Sequence, residues 1–117
     1  LDWVSLAEPG LLHAPVGAAL LPLELGITDA EIIKAVTYHT TCRQGASLLE
    51  KIIYLADYIE PGRSCYSVKD VREAADNDLN KALLLAVERT IKFVLSRGKL
   101  LHPRSVEFRN SLLISKL

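Results

Sequence analysis

Helix start and stop signals recur along the whole chain, and they restrict its fold more than any other feature. Capping boxes begin at Thr28 and Ser47, because each hydroxyl residue is followed three positions later by a glutamate. Residues that end helices follow the apolar runs, at Gly26, Pro61-Gly62 and Gly98. No segment alternates apolar and polar residues as a β-strand does. The sequence therefore predicts an all-α fold, a helical bundle with short connections.

The predicted helices lie between these signals. The first begins close to Pro15 and ends at Gly26, and the next two, capped by Thr28 and Ser47, reach about His39 and Ile59. The remaining predicted spans are Ser67 to Ala75, Asp76 or Asp78 to Arg97, and Pro103 to about Ile114. In the longest helix, apolar residues at helical spacing predict a stripe that faces the core: Leu79, Leu83, Ala86, Val87, Ile91, Val94 and Leu95.

Composition narrows the classes of function. A length of 117 residues predicts one helical domain, residues 1–117, and 14 basic residues balance 14 acidic ones. Because the net charge is zero, we expect no nucleic-acid partner and only local recognition of phosphate. The longest apolar run, Ala82 to Val87, is far shorter than the ~20 residues of a membrane span, so no membrane partner is expected. The isolated cysteines Cys42 and Cys65 indicate a reducing cytoplasm.

His39 is the most informative single residue. It shares the apolar side of its predicted helix with Ile32, Ala35 and Val36, so its imidazole should face inward at the helix end. Such a histidine is either a core residue with a hydrogen-bond partner or a ligand and acid–base group. Arg43, in the loop that follows, favours the second role because a guanidinium suits phosphate.

Asp57 and His13 each admit two interpretations. Asp57 borders a broad apolar arc on its helix, where it is either a partly desolvated metal ligand or a surface acid. That arc consists of Leu48, Leu49, Ile52, Ile53, Leu55 and Ala56. His13 precedes the helix predicted to begin at Pro15, where a neutral imidazole either binds metal or phosphate or simply caps the helix. His102, next to Pro103, is interpreted as structural.

Three ordered blocks resemble a known family. They are Leu12-His13-Ala14-Pro15-Val16-Gly17-Ala18, Tyr38-His39-Thr40-Thr41 with Arg43 and Gly45, and the run from Leu48 to Pro61 with Arg63. Together with the ending His102-Pro103-x-Ser105-Val106-Glu107-x-Arg109-Asn110, they resemble the bacterial HD-domain hydrolases of the YqeK type, which are symmetrical diadenosine tetraphosphatases. The resemblance extends from Leu11 to about Leu113.

The resemblance implies an HD-domain-like helical bundle and hydrolysis of dinucleoside tetraphosphates, Ap4A to two ADP. It implies a divalent metal, with iron favoured, and Asp57 as a metal ligand. It also implies His13 and His39 as catalytic residues at the edge of the metal, where they contact phosphate or bind a second metal. The substrate-binding residues that it implies are His13, His39, Arg43, Arg63, Glu107 and Asn110.

The family's upstream histidine and its His-Asp pair have no counterpart in this sequence. We therefore expect residues 1–117 to be the C-terminal part of an HD domain, and we assign the activity to the parent protein. The alternatives are an HD phosphohydrolase for another nucleotide and a non-catalytic helical module that binds a nucleotide or a partner. A homodimer is left open, because apolar helix faces lacking their usual cover can associate.

Overall fold

The described part of the protein is entirely helical, as predicted. A computed structural model describes residues 2–60 and 68–115, and these residues form seven α-helices and no β-strand. The helices are α1 (Trp3–Ala7), α2 (Pro9–Leu25), α3 (Ala30–Thr37), α4 (Leu48–Tyr58), α5 (Lys69–Asn77), α6 (Leu79–Ser96) and α7 (Pro103–Ile114).

The predicted start of α2 is wrong, although its end at Gly26 is confirmed. The helix begins at Pro9, and the Glu8 side chain caps it by accepting a hydrogen bond from the Gly10 amide at 3.3 Å. Pro15 and Pro22 therefore lie inside the helix. A proline marks a helix start only when no earlier cap has begun the helix, and here Glu8 and Pro9 supply both signals six residues sooner.

The two predicted capping boxes have different outcomes. Ser47 and Glu50 form the predicted box at the start of α4, where each side chain bonds the backbone amide of the other. At α3 the cap is Asp29 instead of Thr28, since the Asp29 carboxylate accepts from the amides of Glu31 and Ile32 at 2.9 and 3.2 Å. A carboxylate also interacts favourably with the positive end of the helix dipole.

The second half follows the predicted spans with small shifts. Asp78 caps α6 and Pro103 begins α7, both as predicted. The predicted cap Ser67 lies outside the described residues, and α5 starts after Val68 with no side-chain cap and ends two residues beyond Ala75. The short helix α1 was not predicted from the sequence.

The main core lies among α4, α5, α6 and α7. Its buried residues are Cys42, Tyr54, Leu55, Val71, Ala74, Ala82, Leu83, Ala86, Val87, Phe108 and Leu112. Part of the stripe predicted on α6 is confirmed, but Leu95 is 62 % exposed. At about 100° per residue, Leu95 lies about 120° around the helix from Leu83, so it has turned away from the core.

The buried side of α4 was predicted wrongly. Leu55 is buried as expected, but the other buried residues are Glu50 and Tyr54, while most of the predicted arc is exposed. The exposed members are Leu48, Leu49, Ile52, Ile53 and Ala56. Because α4 is apolar on two sides, periodicity could not tell which side meets α6. Within the described ranges, no helix is both long enough and apolar enough to cross a membrane.

Candidate active site

Two histidines that are remote in sequence meet at the surface of the bundle. His13 lies within α2, and His39 lies in the turn just after α3. Because α2 packs against α3, the two Nε2 atoms come within 3.2 Å, and the ring centroids are 5.1 Å apart. The prediction that His13 precedes its helix is wrong, so an N-terminal dipole does not explain its role. The environment of His13 is determined instead by its contact with the imidazole of His39.

Backbone contact determines the tautomer of His39. Its Nδ1 atom lies 2.6 Å from the carbonyl oxygen of Val36, which can only accept, so Nδ1 carries a proton and donates it. In the neutral ring, the lone pair is then on Nε2, directed at His13. The contact between the rings requires His13 to donate from its own Nε2. The pair therefore shares one hydrogen bond and presents both Nε2 atoms at one point.

A cavity of about 360 Å³ brings the predicted residues together, since His13, His39 and Asp57 all line it. Asp57 lies on the last turn of α4 and is half-buried. Arg72 of α5 holds this end of the helix, because its guanidinium donates to the Ile59 carbonyl at 2.8 and 3.2 Å. The histidines and the aspartate, remote in sequence, thus share one site.

The cavity is also lined by polar residues that the sequence did not indicate as a group. They are Glu8, Thr40, Tyr54, Tyr58, Thr90 and Lys99. Tyr54 is 4 % exposed and hydrogen-bonds with Thr90, and burial raises the pKa of its phenol well above the ordinary value. The signal that could have found part of this wall is the spacing of Thr90, Phe93 and Val94, which lie on one face of α6.

Arg43, predicted to bind phosphate, does not line this cavity. Its Nε and Nη2 atoms donate to the two carboxylate oxygens of Glu50 at 2.7 and 3.1 Å, and its guanidinium lies 4.2 Å from the centroid of the Tyr38 ring. The hydrogen bonds that Arg43 donates to Glu50 raise the pKa of Arg43. Burial disfavours the charged form of Glu50, but bonds from Arg43 and Ser47 outweigh this effect and lower its pKa.

Two other predicted substrate residues, Glu107 and Asn110, do not line the cavity either. Glu107 and Asn110 lie exposed on α7, where the Asn110 side-chain oxygen accepts from Arg109 at 3.1 Å. Arg63 lies outside the described residues. Cys42 is fully buried, and burial raises the pKa of its thiol to about 11, so this thiol is not suited to act as a nucleophile.

His102 belongs to a separate group of interacting side chains, which we call the polar cluster: Asp2, Tyr38, Arg43, Glu50, His102 and Arg104. His102 is 7 % exposed and caps α7, because its Nδ1 accepts from the Arg104 amide at 3.0 Å. Its Nε2 then donates to Asp2, 3.0 Å away. Both nitrogens are therefore engaged, which supports the structural interpretation of this residue.

The cavity supplies donors for a divalent metal but not a complete set. Two imidazoles and a carboxylate are ordinary ligands for such ions. Among residues 2–60 and 68–115, however, no group of three or more His, Cys, Asp or Glu side chains is arranged to hold a metal ion. The described residues alone therefore do not fit a metal centre.

Comparison with known proteins places the chain in a class. Over its whole length the structure resembles a crystal structure described as a predicted HD superfamily hydrolase involved in NAD metabolism from Clostridium acetobutylicum. The TM-score is 0.91 at 48 % identity, and 61 % of that chain is covered. No family model matches the sequence. On this fold and sequence likeness, the chain belongs to the HD superfamily of hydrolases.

Two curated relatives narrow this class further, and both are named symmetrical bis(5′-nucleosyl)-tetraphosphatase. The protein from Bacillus subtilis is 46 % identical over 96 residues, 82 % of this chain and 52 % of that protein. The protein from Halalkalibacterium halodurans is 44 % identical over 106 residues, 91 % of this chain and 57 % of that protein. The chain is thus a member of the same, YqeK-type family, and it spans about half the length of these relatives.

Proposed function

We propose that the complete protein hydrolyses dinucleoside tetraphosphates symmetrically, converting Ap4A into two ADP. The observation that carries the proposal is the His13–His39 pair, whose Nε2 atoms lie 3.2 Å apart at a cavity that Asp57 also lines. The names of the relatives from Bacillus subtilis and Halalkalibacterium halodurans support the same reaction. A cavity of about 360 Å³ is within the size range of small-molecule sites.

The histidine pair suits hydrogen bonding and proton transfer at a phosphate. Hydrolysis adds water across the central phosphoanhydride bond: the hydroxyl joins one phosphorus, and the leaving diphosphate oxygen takes up a proton. A doubly protonated His13 can give that proton from Nε2 and become neutral, while the Nε2 lone pair of His39 can take up the proton that the attacking water loses. The Val36 carbonyl keeps His39 in the tautomer that this role needs.

In this arrangement, Lys99 is the residue that offsets the negative charge of the phosphate chain. Lys99 lines the cavity, whereas Arg43 lies in the polar cluster, held by Glu50. The hydroxyl groups of Thr40 and Thr90 line the same cavity and can bond phosphate oxygens. We keep Arg63, Glu107 and Asn110 as predicted substrate contacts. Arg63 lies outside the described residues, and Glu107 and Asn110 do not line the cavity.

Membership of the HD family implies a divalent metal, and we propose iron with Asp57 as one ligand. Because the described residues hold no complete ligand set, the remaining ligands would come from elsewhere in the complete protein. We accordingly propose that residues 1–117 are the C-terminal part of an HD domain. The exposed apolar side of α4 supports this, since it is a surface that further helices could cover.

The test of the metal assignment uses metal content as well as activity. In the complete protein, Asp57→Ala should lower bound metal, measured by elemental analysis, together with Ap4A hydrolysis. Asp76→Ala, an exposed acid on α5 that does not line the cavity, is the matched control. Full metal occupancy and normal turnover in Asp57→Ala would remove this residue from the site.

Product analysis tests the reaction and its alternatives. Ap4A should yield ADP alone, without AMP or ATP, and cyclic or triphosphate nucleotides should react more slowly. Faster reaction of one of those would favour an HD phosphohydrolase of another specificity. Absence of both metal and turnover would favour a non-catalytic nucleotide-binding or partner-binding module. A cytoplasmic location, a nucleotide as the partner instead of nucleic acid or membrane, and a homodimer remain predictions.

A further inference from the structure

One wall of the cavity is apolar and comes mainly from the end of α6. Phe93 and Val94 lie on its last turns, and Leu100 follows in the connection to α7. Phe93 is 50 % exposed and Leu100 39 % exposed, although both line the cavity. Exposed apolar surface inside a polar site commonly marks the place where an apolar part of a ligand binds.

A cation already covers part of the Phe93 ring. The guanidinium of Arg97, the C-cap residue of α6, lies 5.0 Å from the ring centroid. This cation–π contact stabilises the position of the ring. An aromatic ring has two faces, so a planar group can stack on the face that Arg97 does not cover.

We infer that Phe93 is the stacking platform for a nucleobase, with Val94 and Leu100 as the apolar wall beside it. This inference rests on the proposed function and adds the position of the nucleoside to it. Polar residues of α2, α4 and the turn after α3 line the same cavity, so the phosphates can lie against them while the base lies against Phe93. A volume of about 360 Å³ suits one nucleoside with its phosphates, which is half of a symmetrical substrate.

The same wall predicts weak discrimination between bases. Side-chain amides, which read base edges, are absent among the described residues that line the cavity. Stacking tolerates any base because each has an aromatic face. ADP and GDP should therefore bind within about 5-fold of each other.

The test compares two ligands that differ by the nucleoside. Binding of ADP and of inorganic pyrophosphate to the complete protein is measured by calorimetry, for wild type, Phe93→Leu and Phe93→Trp. Because stacking is lost, Phe93→Leu should weaken the binding of ADP by about 5- to 150-fold and leave the binding of pyrophosphate unchanged. Phe93→Trp should keep ADP affinity, and its indole fluorescence should change with ADP but not with pyrophosphate.

Leu95→Ala is the matched control, because Leu95 is an exposed apolar residue of the same helix that does not line the cavity. The inference is overturned if Phe93→Leu leaves ADP binding unchanged or weakens both ligands equally. It is also overturned if the indole does not respond to ADP. ADP binding that depends on Phe93, without any Ap4A hydrolysis, would instead remove the proposed function and leave this inference in place.

Discussion

The cavity and the polar cluster contain the same kinds of side chain but use them differently. Both hold histidine, a carboxylate and a cation. In the cluster these groups pair with one another, since His102 bonds both Asp2 and the Arg104 amide, and Glu50 accepts two hydrogen bonds from Arg43. In the cavity, the His13–His39 pair faces open volume. The cluster therefore stabilises the fold, while the cavity is suited to a ligand.

The comparison shows that residue type alone does not identify a site. Arg43 has the chemistry of a phosphate ligand and follows His39 closely in sequence, yet its guanidinium is bound to Glu50. Lys99 has no sequence motif around it, yet it lines the cavity. Within the described part of the chain, the two cations differ in that Glu50 already pairs with Arg43, whereas no acid pairs with Lys99.

The largest effect should come from removing His39, one of the two histidines that line the cavity. His39→Ala in the complete protein should lower kcat/KM for Ap4A by about 10²- to 10⁴-fold, the range typical of acid–base groups. Thermal unfolding should change little, because His39 is only half-buried. Near-normal turnover in this variant would break the distinction between the two regions.

Arg43→Ala should act on stability. It leaves the carboxylate of Glu50, 2 % exposed, without its partner, and we expect a loss of about 3 kcal/mol in the free energy of unfolding, measured with urea. This value is at the low end of the range of about 3–5 kcal/mol for breaking a buried ion pair, because Arg43 is itself 29 % exposed. Adding Glu50→Gln should recover part of the loss. Weaker substrate binding at unchanged stability would instead assign Arg43 to the substrate site.

His102→Ala should cost about 1–2 kcal/mol of unfolding free energy, because it removes the cap of α7 and the bond to Asp2. Turnover by the folded fraction should stay at the wild-type level, which calorimetry and kinetics together can establish. A hundredfold loss of activity would mean that this histidine acts in the reaction and that the comparison is wrong.

Lys99→Ala should raise KM for Ap4A by roughly 5-fold, about 1 kcal/mol, since Lys99 is exposed to solvent and its attraction to phosphate is screened. Lys92→Ala, also exposed on α6 but outside the cavity, is the control and should leave KM unchanged. The effect of Lys99→Ala should shrink as salt is added. Equal effects of the two substitutions would indicate only general attraction.

The smallest expected effect is the change in stability at low pH that comes from Asp2. The hydrogen bond from His102 lowers the pKa of Asp2 below its ordinary value of 3.8, so the carboxylate is favoured in the folded state. Its contribution to stability is therefore present above about pH 4 and is lost as pH falls further. Asp2→Asn should be less stable than wild type at pH 6, and the difference in urea midpoint should narrow toward pH 3. A constant difference would contradict this assignment.

Local chemistry made much of the fold predictable. The Ser47–Glu50 box, the Asp78 cap, Pro103 and Gly26 act through their immediate neighbours, and each is found where the sequence placed it. The errors in where helices begin arose where two local signals competed. Pro9 preceded Pro15, and Asp29 stood beside Thr28, so the stronger cap determined the boundary.

The sequence by itself determined that the chain is helical and that His13, His39 and Asp57 are its notable polar groups. Only the tertiary structure decided that these three share a cavity, that α4 buries Tyr54 instead of Ile52, and that Glu50 holds Arg43. The physical reason is range. Caps and helical periodicity act within a few residues, whereas a shared cavity or an ion pair depends on how whole helices pack.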